Sequence, residues 1–236
     1  MGSAISRTRR PGKSMPSPVL LARLKPFGVL GTRLILDGTV VSTGPSPSSA
    51  DGVVISDPAG LPYIQSGPSG AGGAAGAIYS FLGIKQDKAF PAPVVDAIKA
   101  PADAKFHSYS LADSSETSVD VIHVVGPDLR GDADAGVAAA SREEAVDVLA
   151  SAYSNVLREF AASGQRVLRL LPISGGIFAG AFIKEVPQLT REAWEKALDA
   201  MDGATRDRLV AQTEVHLCIF LEKEYQDFLD AGFLSA

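Results

Sequence analysis

Gly70-Ala71-Gly72-Gly73-Ala74-Ala75-Gly76-Ala77-Ile78 and Pro172-Ile173-Ser174-Gly175-Gly176-Ile177-Phe178-Ala179-Gly180 are the segments of this chain best suited to chemistry. Each is read as lying on the carboxyl side of a strand, and the first runs straight into a helical pattern. Glycines let backbone N–H groups approach an anion with no Cβ in the way, and a helix N-terminus adds a favourable partial charge. Two such loops can close over a ligand that carries more than one phosphate.

Spacing narrows that chemistry. Gly67 and Gly72 have the separation of a nucleoside-triphosphatase loop, but Gly73 and Ala74 stand where its lysine and hydroxyl residue are needed. The run Gly70–Ala75 satisfies a relaxed dinucleotide fingerprint. Its preceding strand is predicted to end near Ser56, however, and such a turn must follow its strand directly. For the first loop the competing reading is structural, a small-residue helix packed tightly on a sheet. Cys218 with His107, His123 and His216 offers no metal-ligand spacing, so neither a metal nor a cofactor is expected. His107 and His123 fall in predicted strands, and Glu143-Glu144 reads as first-turn partners of a helix dipole. No nucleophile–base pair can be named, and no catalytic residue is assigned.

The elements that must position these loops alternate between strand and helix. Strands are predicted near 27–30, 33–36 and 52–56, then over 105–111, 119–125, 166–171 and 213–221. Helices are predicted over 73–82, 91–99, 141–162, 190–201 and 222–233. The clearest is 141–162, where Ser141 and Glu144 form a capping-box pattern before a helical stripe of Ala145, Val148, Leu149, Ala152, Tyr153, Val156 and Leu157. Thr43–Ala50 and Ala112–Ser118 read as loop and turn. This order predicts a largely parallel or mixed sheet covered by helices on both faces.

With 46% hydrophobic and 21% charged residues the composition is that of a globular domain. The net charge of −5 gives no general electrostatic reason to bind nucleic acid. No apolar run reaches the length of a membrane span, and the lone Cys218, in an apolar run, fits a reducing compartment. Charge is uneven, since Arg7, Arg9, Arg10, Lys13, Arg23, Lys25 and Arg33 all precede the first acidic residue, Asp37. Residues 1–18 are therefore read as a disordered basic arm before a single domain over 19–236. Met1-Gly2-Ser3-Ala4-Ile5-Ser6 matches an N-myristoylation pattern at Gly2, with the arginines as the second anchoring signal. A Met-Gly-Ser start is also how many expression leaders begin. The expectation is a cytoplasmic monomer that associates with membranes through Gly2, and an unmodified intact mass of protein from its own cells would remove it.

Taken together, these segments resemble the macrodomain family. Ala71-Gly72-Gly73-Ala74-Ala75-Gly76-Ala77-Ile78-Tyr79 is similar to its G-G-G-V-A-G-A-I-H signature, and Val121-Ile122-His123-Val124-Val125-Gly126-Pro127 to its I-H-x-V-G-P strand end. Leu171–Phe178 is similar to P-x-I-S-x-G-I-F, and Leu149-Ala150-Ser151-Ala152-Tyr153 falls where the family carries L-x-x-A-Y. The resemblance runs from about Thr32 to Phe233 in order and is nearest to viral-type and single-domain members. It implies an α/β fold, a three-layer α/β/α sandwich with a mixed central sheet, and recognition of ADP-ribose, free or protein-linked. On that reading Gly72, Gly73 and Ala74 line the distal ribose and diphosphate, while Ser174, Gly175, Gly176, Ile177 and Phe178 wrap the phosphates. Phe220 matches the position beside the adenine, with core packing as its alternative role.

The departures bear on catalysis. Where the family carries V-N-A-A-N, this chain has Val54-Ile55-Ser56-Asp57-Pro58-Ala59-Gly60, which puts Asp57 at the first Asn and Gly60 at the second. Ala75 stands at the Asp of the hydrolytic members, Tyr79 at their ribose-stacking His, and Thr39-Val40 at the adenine-side G-D-I segment. Losing positioned polar groups of this kind costs about 10²–10³ in rate each. The expectation is a reader of mono-ADP-ribose with weak or no hydrolysis. Two alternatives stand beside it: a hydrolase with an atypical site, for which Asp57 is the expected acid, and a degenerate interaction module.

Overall fold

The computed structural model describes residues 22–26, 35–36, 39–40, 47–111, 118–130, 141–219 and 222–235. Its main sheet contains β1 (Ala22–Pro26), β4 (Val53–Ala59), β5 (Ala104–Ser110), β6 (Ser118–Val125), β7 (Val167–Leu170), β8 (Glu214–Ile219) and β9 (Leu234–Ser235). They lie in the order β5-β6-β4-β7-β8-β1-β9, and β2 (Ile35–Leu36) and β3 (Thr39–Val40) form a separate antiparallel pair. Every ladder of the main sheet is parallel except β5–β6. The sheet is mixed, as the sequence predicts.

Parallel strands covered on both faces must be apolar on both, and β4 and β6 are buried along almost their whole length. Alternation sends Val54, Ile122, Val124, Leu168 and Leu217 to one core, with α4 (Arg142–Ser163), α5 (Val186–Asp199) and α7 (Glu222–Asp230). Ile55, Val121 and Cys218 go to the other core, with α1 (Leu61–Ser66), α2 (Gly73–Phe81) and α3 (Ala92–Ala97). The result is helix, sheet, helix. The Ser141 hydroxyl accepts from the Glu144 N–H and starts α4 where the capping pattern places it. Gly83, with φ 76°, follows the end of α2.

Several described elements depart from the expected list. Residues 27–30 lie outside the described residues, whereas β1 forms at 22–26; of the expected 33–36 strand the described part is Ile35–Leu36, and β3 and β9 were not expected. The short α1 opens on a proline in its first turn, a helix signal hidden within a run that reads as loop. Helix α6 (Gly203–Gln212) buries only Leu209, so it shows no apolar stripe, although Asp202 caps the Thr205 N–H. Among the described residues no helix is long and apolar enough to cross a membrane.

Candidate functional site

Four parallel strands, β6, β4, β7 and β8, deliver their carboxyl ends to the same edge of the sheet. The chain leaves β4 toward β5 and β6 on one side and returns from β6 through α4 to β7 on the other. The topological switch point therefore lies between β4 and β7, where open α/β sheets place their ligands. The ladder there stops at Ile55↔Arg169, whereas β4 stays paired to β6 as far as Ala59↔Val125. This early parting of β4 from β7 opens a crevice of about 920 Å³. Its volume is within the range of small-molecule sites.

Both glycine loops line that crevice. Gly72 is the N-cap of α2 and no side chain among the described residues caps this end, so first-turn N–H groups are open to another partner. Gly73 has φ 55°, and a Cβ on Gly72 or Gly73 would meet nothing within 4 Å. A side chain adopts that φ only with strain. The loop backbone thus faces open space. Lys85 holds it from behind by donating to the Ala71 carbonyl.

The second loop is held from three sides. The Ile173 N–H donates to Tyr153 Oη at 2.9 Å, and the Ser174 hydroxyl donates to the Pro127 carbonyl at 2.6 Å. The Leu129 N–H donates to the Phe178 carbonyl at 2.8 Å. Tyr153 is fully buried, packs edge-on against Trp194 at 5.2 Å, and burial pushes its phenol up to about 12. Arg130 forks onto the buried Asp128 and holds that carboxyl below its ordinary range. The same guanidinium lies 5.4 Å over the Phe178 ring. Gly180 (φ 53°) passes so close to Arg130 that a Cβ would fall 2.7 Å from its Cα. Gly176 faces open space, and Ile177 is 82% exposed at the rim.

Of the residues singled out from sequence, Gly60, Gly72, Gly73 and Ala74 line the crevice from the first side. Ser174, Gly175, Gly176, Ile177 and Phe178 line it from the second. Thr39 and Val40 form β3, with their side chains outside the described residues, and Phe220 and the lipidation candidate Gly2 also lie outside them.

Asp57 does not line the crevice, which corrects its reading as a ligand contact; Tyr79 does not line it either. The β4 alternation turns Asp57 into the core beneath α2, where it is fully buried beside His123 of β6. Tyr79 Oη donates to Asp57 Oδ2 at 2.8 Å, His123 Nδ1 lies 2.7 Å from the same oxygen, and Tyr109 Oη lies 2.8 Å from His123 Nε2. Burial, then the Asp57 carboxylate, push both phenols well above their ordinary value. Both phenols therefore keep their protons; Tyr79 donates to Asp57, and His123 bridges Asp57 and Tyr109. The acids that do line the crevice are Glu224 and Asp227 on α7, which sequence reasoning missed. Their i, i+3 spacing, continued by Phe228, puts them on one helix face. Tyr63 of α1 and Lys184, after the second loop, were missed as well.

An α/β/α domain with two glycine loops at a sheet switch point is the class defined by this geometry. The Trypanosoma brucei macrodomain in one crystal form is similar, with a TM-score of 0.52 and 17% identity over 94% of this chain and 70% of that one. Its complex with ADP-ribose aligns at 0.52 and 16% identity over 94% and 73%. Its complex with ADP aligns at 0.49 and 18% identity over 75% of this chain and 62% of that one, so the chain spans less than two thirds of that relative's length. No protein-family model and no curated protein matches the chain. At such identities the likeness shows the fold: the chain has the macrodomain fold, as the sequence motifs predict.

Proposed function

We propose that the crevice binds ADP-ribose, free or attached to protein, and that the chain serves as a reader of mono-ADP-ribose. One observation carries this reading. Two backbone-lined loops from the ends of different elements, with open space over Gly72, Gly73 and Gly176, face one cavity. Backbone N–H groups bonding a charged phosphate contribute about 1.5–3 kcal/mol each, so four or five of them support micromolar binding after ordering costs. The T. brucei macrodomain, whose fold this chain shares, has been crystallised with ADP-ribose.

Hydrolysis is expected to be weak or nil. Asp57 and Tyr79 point into the core, and Gly60 and Ala75 bring no polar side chain to the crevice. Calorimetric titration tests the reading: ADP-ribose should bind with micromolar to sub-millimolar affinity and far more tightly than AMP, which has a single phosphate. A de-modification assay on the same sample should give turnover near background. No heat at millimolar ADP-ribose would remove the reader and leave an interaction module.

A further inference from the structure

We infer that Tyr63 is a ligand-binding residue of the crevice, the platform for the sugar beyond the diphosphate; this rests on the ADP-ribose reading above. Two glycines make room for its ring. A Cβ at Gly60 would fall 2.9 Å from Tyr63 Cδ2, and one at Gly70 would fall 3.1 Å from Cε1. A side chain at either position would displace the ring. As it stands, the half-buried ring lines the cavity together with Gly72 and Gly73, and its hydroxyl has no hydrogen-bond partner among the described residues.

Sheet order says which part of a ligand meets it. Tyr63 follows β4, the second glycine loop follows β7, and Ile219 and Phe228 belong to the end of β8 and the helix after it. Along that edge the second glycine loop, after β7, lies between Tyr63, after β4, and an apolar wall of Ile219 and Phe228 at β8 and α7, edged by Glu224 and Asp227. A diphosphate at the loops therefore directs one substituent to the apolar wall and the other to Tyr63. The wall suits a flat base. At the opposite end a ribose offers a C–H face for the aromatic ring and hydroxyls for the phenol, which can donate and accept. Gly60 supplies neither, so Tyr63 is the side chain that can discriminate a ligand with a terminal sugar from one without.

The test compares ADP-ribose with ADP, which ends at the diphosphate and does not reach Tyr63. Both are titrated calorimetrically into the full chain as wild type, Tyr63→Phe and Tyr63→Ala, with thermal melts to establish that each variant folds. Tyr63→Ala should weaken ADP-ribose by about tenfold and leave ADP within about twofold. Tyr63→Phe keeps the ring and should fall between, at about threefold for ADP-ribose alone. Equal losses for both nucleotides, or unchanged ADP-ribose binding in Tyr63→Ala, would overturn the assignment. Should Tyr63→Ala unfold, Tyr63→Phe decides: a loss confined to ADP-ribose supports the role, and none overturns it. Wild-type protein that takes up neither nucleotide overturns the crevice reading itself, and the role of Tyr63 with it.

Discussion

Gly176→Glu is expected to lower ADP-ribose affinity by about 100-fold or more, to the point where calorimetry records no binding, while the fold survives. A Cβ at Gly176 meets nothing within 4 Å. The new side chain therefore costs the fold little, within the roughly 0.5 kcal/mol typical of surface changes. It does enter the path of the phosphates. Two unit charges about 4 Å apart repel by about 1 kcal/mol in water and about 4 kcal/mol near a protein surface, so a carboxylate beside a diphosphate readily supplies the roughly 2.7 kcal/mol of a hundredfold loss. Gly176→Ala, which adds bulk without charge, should lose far less. Unchanged ADP-ribose binding in a folded Gly176→Glu protein would show that the phosphates do not pass this loop.

Asp57→Ala should act on stability and not on the ligand. The carboxylate is fully buried, accepts from Tyr79 and faces His123, so its removal leaves a phenol and an imidazole N–H without partners in the core. Breaking a buried pair from one side costs about 3–5 kcal/mol, against a total stability of roughly 5–15 kcal/mol for a domain. Asp57 Oδ1 has no hydrogen-bond partner among the described residues, so part of the carboxylate's own desolvation cost is relieved at the same time, and the lower end of that range is expected. Asp57→Asn keeps an acceptor for Tyr79 and should lose less. Urea denaturation reads the effect, followed by ADP-ribose titration at a temperature where the variant is folded. Lost binding at unchanged stability would return Asp57 to the crevice as a ligand contact.

These two positions mark where the sequence is legible and where it is not. Gly72, Gly73, Gly175 and Gly176 are readable because runs of glycine stand out in any sequence, and the order of the motifs already points to the fold. The Ser141 cap and the stripe of α4 are readable for a similar reason, since both are local patterns of a helix. Tyr153 also comes with its motif, although its hydrogen bond to the loop at Ile173 does not.

The facing of single side chains is decided elsewhere. Asp57 lies three residues before Gly60, and both read as cleft residues because strand register relative to the sheet is invisible in one segment. Strand alternation turns each side chain to one core or the other, and only the pairing of β4 with β6 shows that Asp57 meets His123 in the core beneath α2. Tyr63, Glu224 and Asp227 escape a reading of the sequence because short helices after β4 and β8 bring them to one edge from distant stretches of chain. By itself the sequence determined the alternation of strand and helix, the resemblance in fold and the two glycine loops. Which side chains line the crevice between those loops was settled by the tertiary structure, because it depends on the parting of β4 from β7 and on the faces of helices, neither of which any local pattern encodes.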